Sequence, residues 1–558
     1  MTERKAALPR GAGIWNLYFL GKFALVWLGY LNFKPLWNAA LLALVLLPLE
    51  RRALRIVRNL AALGCGFSLA WHESWLPGPR AIVENFENLL NFRPEYLLEL
   101  VMNAIDPTFL VVAFVAVVAW FISSEWIRWT TFTILGLVLF SLPDPKGFVD
   151  RILAPEPEVT QATAPQTAAS AAAPAAAPAA AAAPAASGPL PAQTEPANDA
   201  AISRWLEAFW NSEKDRRVAF PEQGAARDFD IAILNICSLS FDDLEATNLA
   251  EHPLFRRFDV RFENFSSATA YSGPATLRLL RGACGQPSHE ALYKGRAPAC
   301  EVMGQLERAG FTPELYMDHN GEFDGYLQAL RDRAGLTPAL TSQDGWRANL
   351  EAFDGSMIYR TADVLRAWMR NREAARAARP DAPGAAFFNF IALHDGNRAP
   401  GTTRSLAFDT RAKTMLNDLD RVMGEIEQSG RRVMLVVVPE HGAAVRGDKV
   451  QMASLREIPS PRITRVPVLV KFFGLPDAAR PSGQIVVREP VSYLAVAELL
   501  KRAVTCSPWS EGCTPAADLV KDLPLTWPVA ENSGAQVLSY GGRSWVRLEG
   551  DRWVAYPD

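Results

Sequence analysis

The sequence predicts two folds in one chain. These are an N-terminal multi-span α-helical membrane bundle and a soluble α/β domain whose mostly parallel sheet is covered by helices on both faces. Three observations carry this. Residues 1–150 hold five apolar runs in succession, residues 151–200 are rich in Ala and Pro, and residues 201–558 alternate short apolar strands with amphipathic helices. The chain's 558 residues and mean hydropathy of +0.02 average these opposites.

The first run is Leu17 to Phe33, interrupted by Lys22, and the second is Leu36 to Leu49. The third is Ala53 to Trp71, with Arg55 and Arg58 near its start. The fourth, Thr108 to Ile122, is almost purely aliphatic and aromatic and could start as early as Leu97; the fifth is Trp126 to Leu142. A span takes about 20 apolar residues, with roughly 17 tolerated, so the second is short. Trp15, Trp27, Trp37, Trp71, Trp120, Trp126 and Trp129 fall near run ends, where an interfacial belt would place them. The competing reading is the buried core of a soluble bundle, but five successive runs with few polar faces do not suit one. Arg4, Lys5 and Arg10, then Arg51, Arg52, Arg55 and Arg58, put the N-terminus and the second turn on the cytoplasmic side. Five spans then leave everything after Pro143 on the far side. The first run lacks a small-residue cleavage site and reads as a retained span.

The tract 151–200 includes Ala169–Ala186, built almost wholly of Ala and Pro. Recurrent proline prevents a continuous helix, so it reads as a semi-extended tether. Beyond it, Phe229–Cys237, Ala386–Leu393, Val433–Val438 and Val466–Phe472 read as buried strands. Thr361–Ala375 and Thr410–Gln428 have helical spacing with charged faces. The tail Val537–Tyr556, with Gly541-Gly542 and Gly550-Asp551, reads as small β-hairpins.

Composition excludes two classes. With 57 basic and 60 acidic residues the chain is no basic nucleic-acid binder. Six cysteines are too sparse for a disulfide-built miniprotein.

In open α/β sheets ligands bind beyond the carboxyl ends of the strands. Cys237 follows the first strand, with Ser238 and Ser240 behind it; His394-Asp395 follows the second and Glu440-His441-Gly442 the third. Tyr271-Ser272-Gly273-Pro274 precedes a helix-like stretch, Ala275–Arg281. A thiol, imidazoles and a carboxylate are the ligand chemistry of zinc. Each residue alone has a plainer reading. Cys237 could be a small buried hydrophobe, Ser272 a helix N-cap, His394 a hydrogen-bonded structural group, and Glu440-His441 an exposed loop pair. A cap and a phosphate site are compatible, since a helix N-terminus also favours an anion.

The segments NICSLS, YSGP, ALHDGN, PEHGA and LREIPSP, in this order and spacing, resemble the phosphoethanolamine transferases of bacterial cellulose biosynthesis, which are alkaline-phosphatase-like metalloenzymes. The likeness covers the catalytic region; the membrane half matches in organisation only. It implies one zinc held by Cys237, Glu440 and His441, with Ser272 as nucleophile and a further ligand. It implies that His394 contacts the phosphoryl group or its leaving oxygen, and that Arg456 and Tyr271 help bind phosphate. Relatives acting on lipid A usually carry a carboxylate and a threonine where Cys237 and Ser272 stand, so the pair here points to the cellulose branch. The implied donor is phosphatidylethanolamine and the implied acceptor a glucosyl C6 hydroxyl of cellulose. The implied setting is a bacterial inner membrane, multi-pass, with the catalytic domain in the periplasm beside other cellulose synthase subunits.

A serine hydroxyl is a poor nucleophile until a metal lowers its pKa. Two in-line displacements through Ser272 would retain configuration at phosphorus, with His394 as general acid and then base. Cys284 and Cys300, like Cys506 and Cys513, are spaced to close small loops on the oxidising side, with four free thiols as the alternative; Cys65 falls in the third run. His319 could line a substrate groove, and Asp242 and Asp243 read as solvated or capping residues. Two other functions stay open: transfer of phosphoethanolamine or phosphoglycerol to lipid A or another glycan, and a non-catalytic membrane subunit of a cellulose synthase complex.

Overall fold

The computed structural model describes residues 11–75, 92–104, 107–142, 145–153, 191–222, 224–379, 382–513, 515–548 and 552–557. The chain forms two compact units, Met1–Leu76 with Ile105–Ala185, and Pro77–Ala104 with Ala186–Asp558.

The apolar runs fold as α1 (Trp15–Trp27), α2 (Pro35–Leu46), α3 (Arg52–Glu73), α5 (Pro107–Ser123) and α6 (Trp129–Leu139), with α7 (Pro145–Leu153) after them. Between α3 and α5 lies α4 (Pro94–Ala104), which folds with the second unit. Leu97 therefore belongs to a separate helix and does not extend the fourth run. The first helix stops short of Phe33 because Gly29 takes a left-handed φ of 88°. Among the described residues one helix, Arg52–Glu73, is long and apolar enough to cross a membrane; Pro35–Leu46, Leu110–Ser123 and Trp129–Leu139 are shorter apolar helices.

In this unit the usual polarity is inverted. Phe114, Phe121 and Trp126 are exposed, while Lys22 is buried. Lys22 Nζ lies 2.5 Å from Glu73 Oε2 and donates to Asn38 Oδ1 at 2.8 Å, and Asn38 Nδ2 donates to Glu73 Oε1. This clamp joins α1, α2 and α3, and explains the one charge in the first run: it faces the helix interior, where it is paired.

The second unit is built on a seven-stranded sheet. Its strands are β1 (Asp230–Ile236), β2 (Val260–Ser266), β3 (Thr312–Met317), β6 (Gly384–Phe390), β7 (Val433–Pro439), β8 (Arg465–Phe473) and β9 (Ile485–Val487); β4 (Ala348–Glu351) and β5 (Met357–Tyr359) form a separate antiparallel pair. The order is β3-β6-β1-β7-β8-β2-β9. Four neighbouring pairs are parallel, but β8 runs antiparallel to both β7 and β2. The sheet is thus mixed. The chain returns from β7 to β8 through a long loop without the crossover helix a parallel neighbour needs, and that loop carries Arg456.

The helices longer than one turn are α8 (Asp199–Glu213), α9 (Phe241–Ala246), α10 (Ser272–Leu280), α11 (Val302–Arg308), α12 (Tyr326–Ala334), α13 (Thr361–Ala378), α14 (Phe408–Gln428) and α15 (Tyr493–Thr505), with single turns at His289–Leu292 and Pro461–Thr464. Strand periodicity separates two cores. Ile231 and Ile233 pack with Leu277, Leu306 and Leu499 of α10, α11 and α15, whereas Leu234 and Ile236 pack with Trp368 and Leu419 of α13 and α14. Helices therefore cover both faces, as expected.

The tail forms an antiparallel sheet, β10 (Val529–Glu531), β11 (Ala535–Tyr540), β12 (Arg543–Leu548) and β13 (Val554–Ala555). Gly541 and Gly542 both have positive φ, as a two-residue type I′ hairpin turn requires; Gly550-Asp551 lies outside the described residues. Trp205 and Phe209 of α8 pack on this sheet, and Trp205 Nε1 donates to the Pro191 carbonyl. Of the Ala/Pro tract, residues 154–190 lie outside the described residues. Cys284–Cys300 and Cys506–Cys513 are disulfides, and Cys65 and Cys237 are free.

Candidate active site

β1, β6 and β7 are adjacent and parallel, so their carboxyl ends open on one edge of the sheet. Cys237 leaves β1 there and Glu440-His441 leave β7. Ser238 takes a left-handed φ of 67°, an uncommon conformation for a non-glycine residue. Ser272 is the first residue of α10, and Tyr271, not Ser272, occupies the N-cap. The capping alternative is thereby removed. The Ser272 hydroxyl instead lies 3.3 Å from Cys237 Sγ and 3.2 Å from His441 Nε2.

Cys237, Glu440 and His441 are buried, and one ligand atom from each lies within 4.8 Å of the others. His441 Nδ1 donates to the Gly442 carbonyl at 2.8 Å, which leaves the lone pair on Nε2 facing Ser272. Glu440 Oε1 accepts from Asn389 Nδ2 at 2.6 Å and from Thr276 Oγ1 at 3.0 Å, while Oε2 is buried without a partner. Burial, then the Glu440 charge, pushes the Cys237 thiol up to about 12, and burial also raises Glu440 and lowers His441. Three groups that all resist charging, around one orphaned oxygen, fit a divalent cation with mixed S/N/O preference such as zinc. Among the described residues this is the one such cluster.

The supporting shell was not anticipated. Asn235 of β1 accepts from Thr276 Oγ1 and Asn389 Nδ2, and donates to the Val438 carbonyl, so three elements hold Glu440 in one orientation. The signal was present: Asn235 and Asn389 are lone amides inside otherwise apolar strands, where a buried polar group needs partners.

The other expected residues are placed around this centre. Arg456 is partly buried, its Nη1 donating to Ser238 Oγ at 3.0 Å and its Nη2 lying 3.9 Å from Asp395 Oδ2. His394 donates from Nδ1 to the Asp395 carbonyl, and its ring stands 4.7 Å from that of Phe353. Burial, then the charge of Arg456, pushes His394 down to about 3. Tyr271 gives its hydroxyl to Glu457 Oε1 at 2.6 Å. His319 has both ring nitrogens engaged, with Asn389 and the Gly321 N–H. Asp243 completes the capping box of α9 and also accepts the Ala443 and Val445 N–H groups, pinning the loop after β7.

One wall comes from far away in sequence. Tyr96 of α4 packs on Phe353 and against Gly396, where an added Cβ would meet its ring at 2.6 Å. Phe92 stands 5.1 Å from Phe353, Arg93 pairs with Glu351 at 2.7 Å, and Ser405 Oγ donates to Glu99. Burial, then the charge of Asp395, raises the Tyr96 hydroxyl to about 12, with Arg456 acting oppositely. Tyr96 thus stands beside the Asp395–Arg456 pair.

The model of the cellulose biosynthesis protein BcsG C-terminal domain matches residues 186–553, and that of the BcsG N-terminal domain matches residues 15–142. The chain belongs to the BcsG family. It is 42% identical to the cellulose biosynthesis protein BcsG of Salmonella typhimurium over 98% of this chain and 97% of that protein. It is 43% identical to BcsG of Escherichia coli over the same shares. Among solved structures it is similar to an alkaline phosphatase superfamily protein from Vibrio parahaemolyticus, at 13% identity and TM-score 0.46 over 63% of this chain and 87% of that one. It is also similar to the C-terminal periplasmic domain of phosphoethanolamine transferase EptC from Campylobacter jejuni, at 12% identity and TM-score 0.35 over 55% and 99%.

Proposed function

We propose that this chain is a membrane-bound, zinc-dependent transferase that moves phosphoethanolamine from phosphatidylethanolamine to a glucosyl C6 hydroxyl of cellulose, through a covalent intermediate on Ser272. The observation that carries the reading is the Ser272 hydroxyl within hydrogen-bond distance of both Cys237 Sγ and His441 Nε2, beside the unpartnered Oε2 of Glu440. Cys237, Glu440 and His441 would hold the metal, with Ser272 adjoining it. When bound, zinc supplies Lewis acidity that lowers the hydroxyl pKa and polarises the phosphoryl oxygen.

The remaining work falls to the chain's own groups. Ser272 Oγ attacks phosphorus, a P–O bond forms, and the bond to diacylglycerol breaks. The acceptor hydroxyl then displaces Ser272. Arg456 stands partly buried beside the centre, bonded to Ser238, and neutralises charge on the non-bridging oxygens. The first N–H groups of α10 face the same anion. His394 is neutral at rest with its lone pair on Nε2: in the first half-reaction it takes the proton that Ser272 Oγ loses and gives it to the leaving alkoxide, and in the second it takes the sugar proton and gives it to the departing Ser272 Oγ. A donor that stays in the bilayer explains a membrane-tethered domain, since tethering raises the effective concentration of the site at the lipid surface. The five apolar helices are assigned to the inner membrane and the second unit to the periplasm.

Mass spectrometry of the full chain after incubation with phosphatidylethanolamine tests this. The expected result is a phosphoethanolamine adduct on Ser272, absent from Ser272→Ala, together with loss of cellulose phosphorus in cells carrying that variant. No adduct, with unchanged cellulose, would leave a non-catalytic subunit as the reading.

A further inference from the structure

A cavity lies at the other end of α10. It measures about 300 Å³ and is lined by Lys214, Arg217, Arg278 and Arg281, with Trp210 and Tyr493 as aromatic walls. The carboxylate in its lining, Glu213, is already used: it pairs with Arg216 and accepts the Gln286 N–H at 2.7 Å. The four lining cations have hydrogen bonds to neutral oxygens. Lys214 bonds to Asn211 Oδ1, Arg217 to the Arg216 carbonyl, Arg281 to the Leu292 carbonyl, and Arg278 to the Pro287 carbonyl. Glu531, which attracts Arg278 from outside the lining, accepts from the His289 N–H and from Gln536.

Arg278 is only 2% exposed, yet its Nε and Nη1 have no partner. Gln286 Oε1 and Thr526 Oγ1, also in the lining, are buried and unpartnered too. A buried guanidinium with two unpartnered nitrogens and no carboxylate in direct contact is costly, and an anion in the cavity would reduce that cost.

We propose that this cavity binds a phosphoester group. Four cations around one cavity match a group that carries up to two negative charges on several oxygens, and guanidinium groups recognise such oxygens well. The volume exceeds what a bare phosphate needs and reaches the range of small-molecule sites. Gln286 Oε1 and the aromatic walls then receive the organic substituent. The group comes from a soluble phosphoester or from a lipid headgroup. The inference stands on this cavity alone and does not require that Ser272 transfer anything.

The test uses the full chain in detergent micelles, as the Ser272→Ala variant stripped of metal with a chelator to silence the other centre. Equilibrium dialysis with labelled inorganic phosphate and labelled O-phosphoethanolamine should show one saturable equivalent. Arg217→Glu and Arg281→Glu should weaken it at least about tenfold, with both disulfides and the circular dichroism spectrum retained; Arg278→Gln should do the same if it folds. Displacement by dihexanoyl phosphatidylethanolamine identifies the lipid headgroup as the source, and retention identifies the soluble phosphoester. No saturable binding, or binding indifferent to Arg217→Glu and Arg281→Glu, overturns the proposal. Failure here leaves the adduct on Ser272 untouched, and failure of that adduct leaves this binding untouched.

Discussion

The candidate active site has two walls of different make. The strand-end wall is polar and closely bonded: Asn235, Thr276 and Asn389 hold Glu440, and the Gly442 carbonyl holds His441. The α4 wall is aromatic: Phe92 and Tyr96 lean on Phe353, which itself stands against His394. The first wall sets ligand geometry to within a hydrogen bond. The second shapes and dries the space in front of it, and ring packing tolerates small shifts better than a bonded network does. The two should therefore fail differently. Damage to the strand-end wall should remove chemistry or metal, and damage to the α4 wall should remove rate while metal stays.

The largest effect belongs to the proposed nucleophile. Ser272→Ala should lower transfer by about 10³-fold or more, because it removes the proposed nucleophile while Cys237 and His441 are committed to the proposed metal. Zinc content, measured by elemental analysis, should fall far less than transfer, since Cys237, Glu440 and His441 remain. Equal loss of both would mean that Ser272 mainly holds metal.

How much of this could be read beforehand differs between the walls for a physical reason. Cys237, Glu440 and His441 sit where strands end, and strand ends are legible as apolar runs that stop, whereas Ser272 heads a helix and its role was read only from the resemblance of YSGP. The amides Asn235 and Asn389 were visible as interruptions but not interpretable, because their partners lie on other strands and register is invisible in a linear pattern. The reversed direction of β8 was hidden likewise, since a buried apolar run reads the same in both directions. Tyr96 was missed altogether. Its helix has the hydrophobicity of a span's margin, and only tertiary packing on Phe353 shows that α4 leaves the apolar series to join the second unit.

Next in size is the metal, and its pH dependence has a definite sign. Burial and Glu440 hold the Cys237 thiol near 12, so at ordinary pH the free site carries a proton that Cys237 must lose if it is to bind the proposed metal. Zinc binding should release that proton, and affinity should rise about tenfold per pH unit between pH 6 and 8, with the further slope of any other group that titrates. Isothermal titration in buffers of different ionisation enthalpy reads the proton directly. Asn389→Ala, which frees Glu440 Oε1, should cost about 10- to 100-fold in zinc affinity. A flat pH profile would show that Cys237 is not a ligand.

The α4 wall should give the smaller, metal-independent losses. Tyr96→Ala removes a ring that fills the space against Gly396 and Phe353, and should lower transfer about tenfold with zinc affinity unchanged. If zinc affinity falls in parallel, the two walls are one cooperative unit and the contrast drawn between them is wrong.

The smallest effect isolates one atom of that wall. Tyr96→Phe keeps the ring and its packing but deletes the hydroxyl that Asp395 and Arg456 influence. Packing then stays constant, so any change reports on the polar end alone. Asp395 and Arg456 are a loosely spaced pair at 3.9 Å, which leaves room for the hydroxyl to bias where Arg456 stands. A loss of about two- to threefold in kcat/KM, under 1 kcal/mol, is what one neutral hydrogen-bonding group at the edge of a charge pair supplies. The loss should vanish in an Arg456→Lys background, because a lysine there cannot keep the same geometry and the hydroxyl has nothing left to bias. Additive losses in the double variant would place the hydroxyl's action on the substrate itself instead of on Arg456.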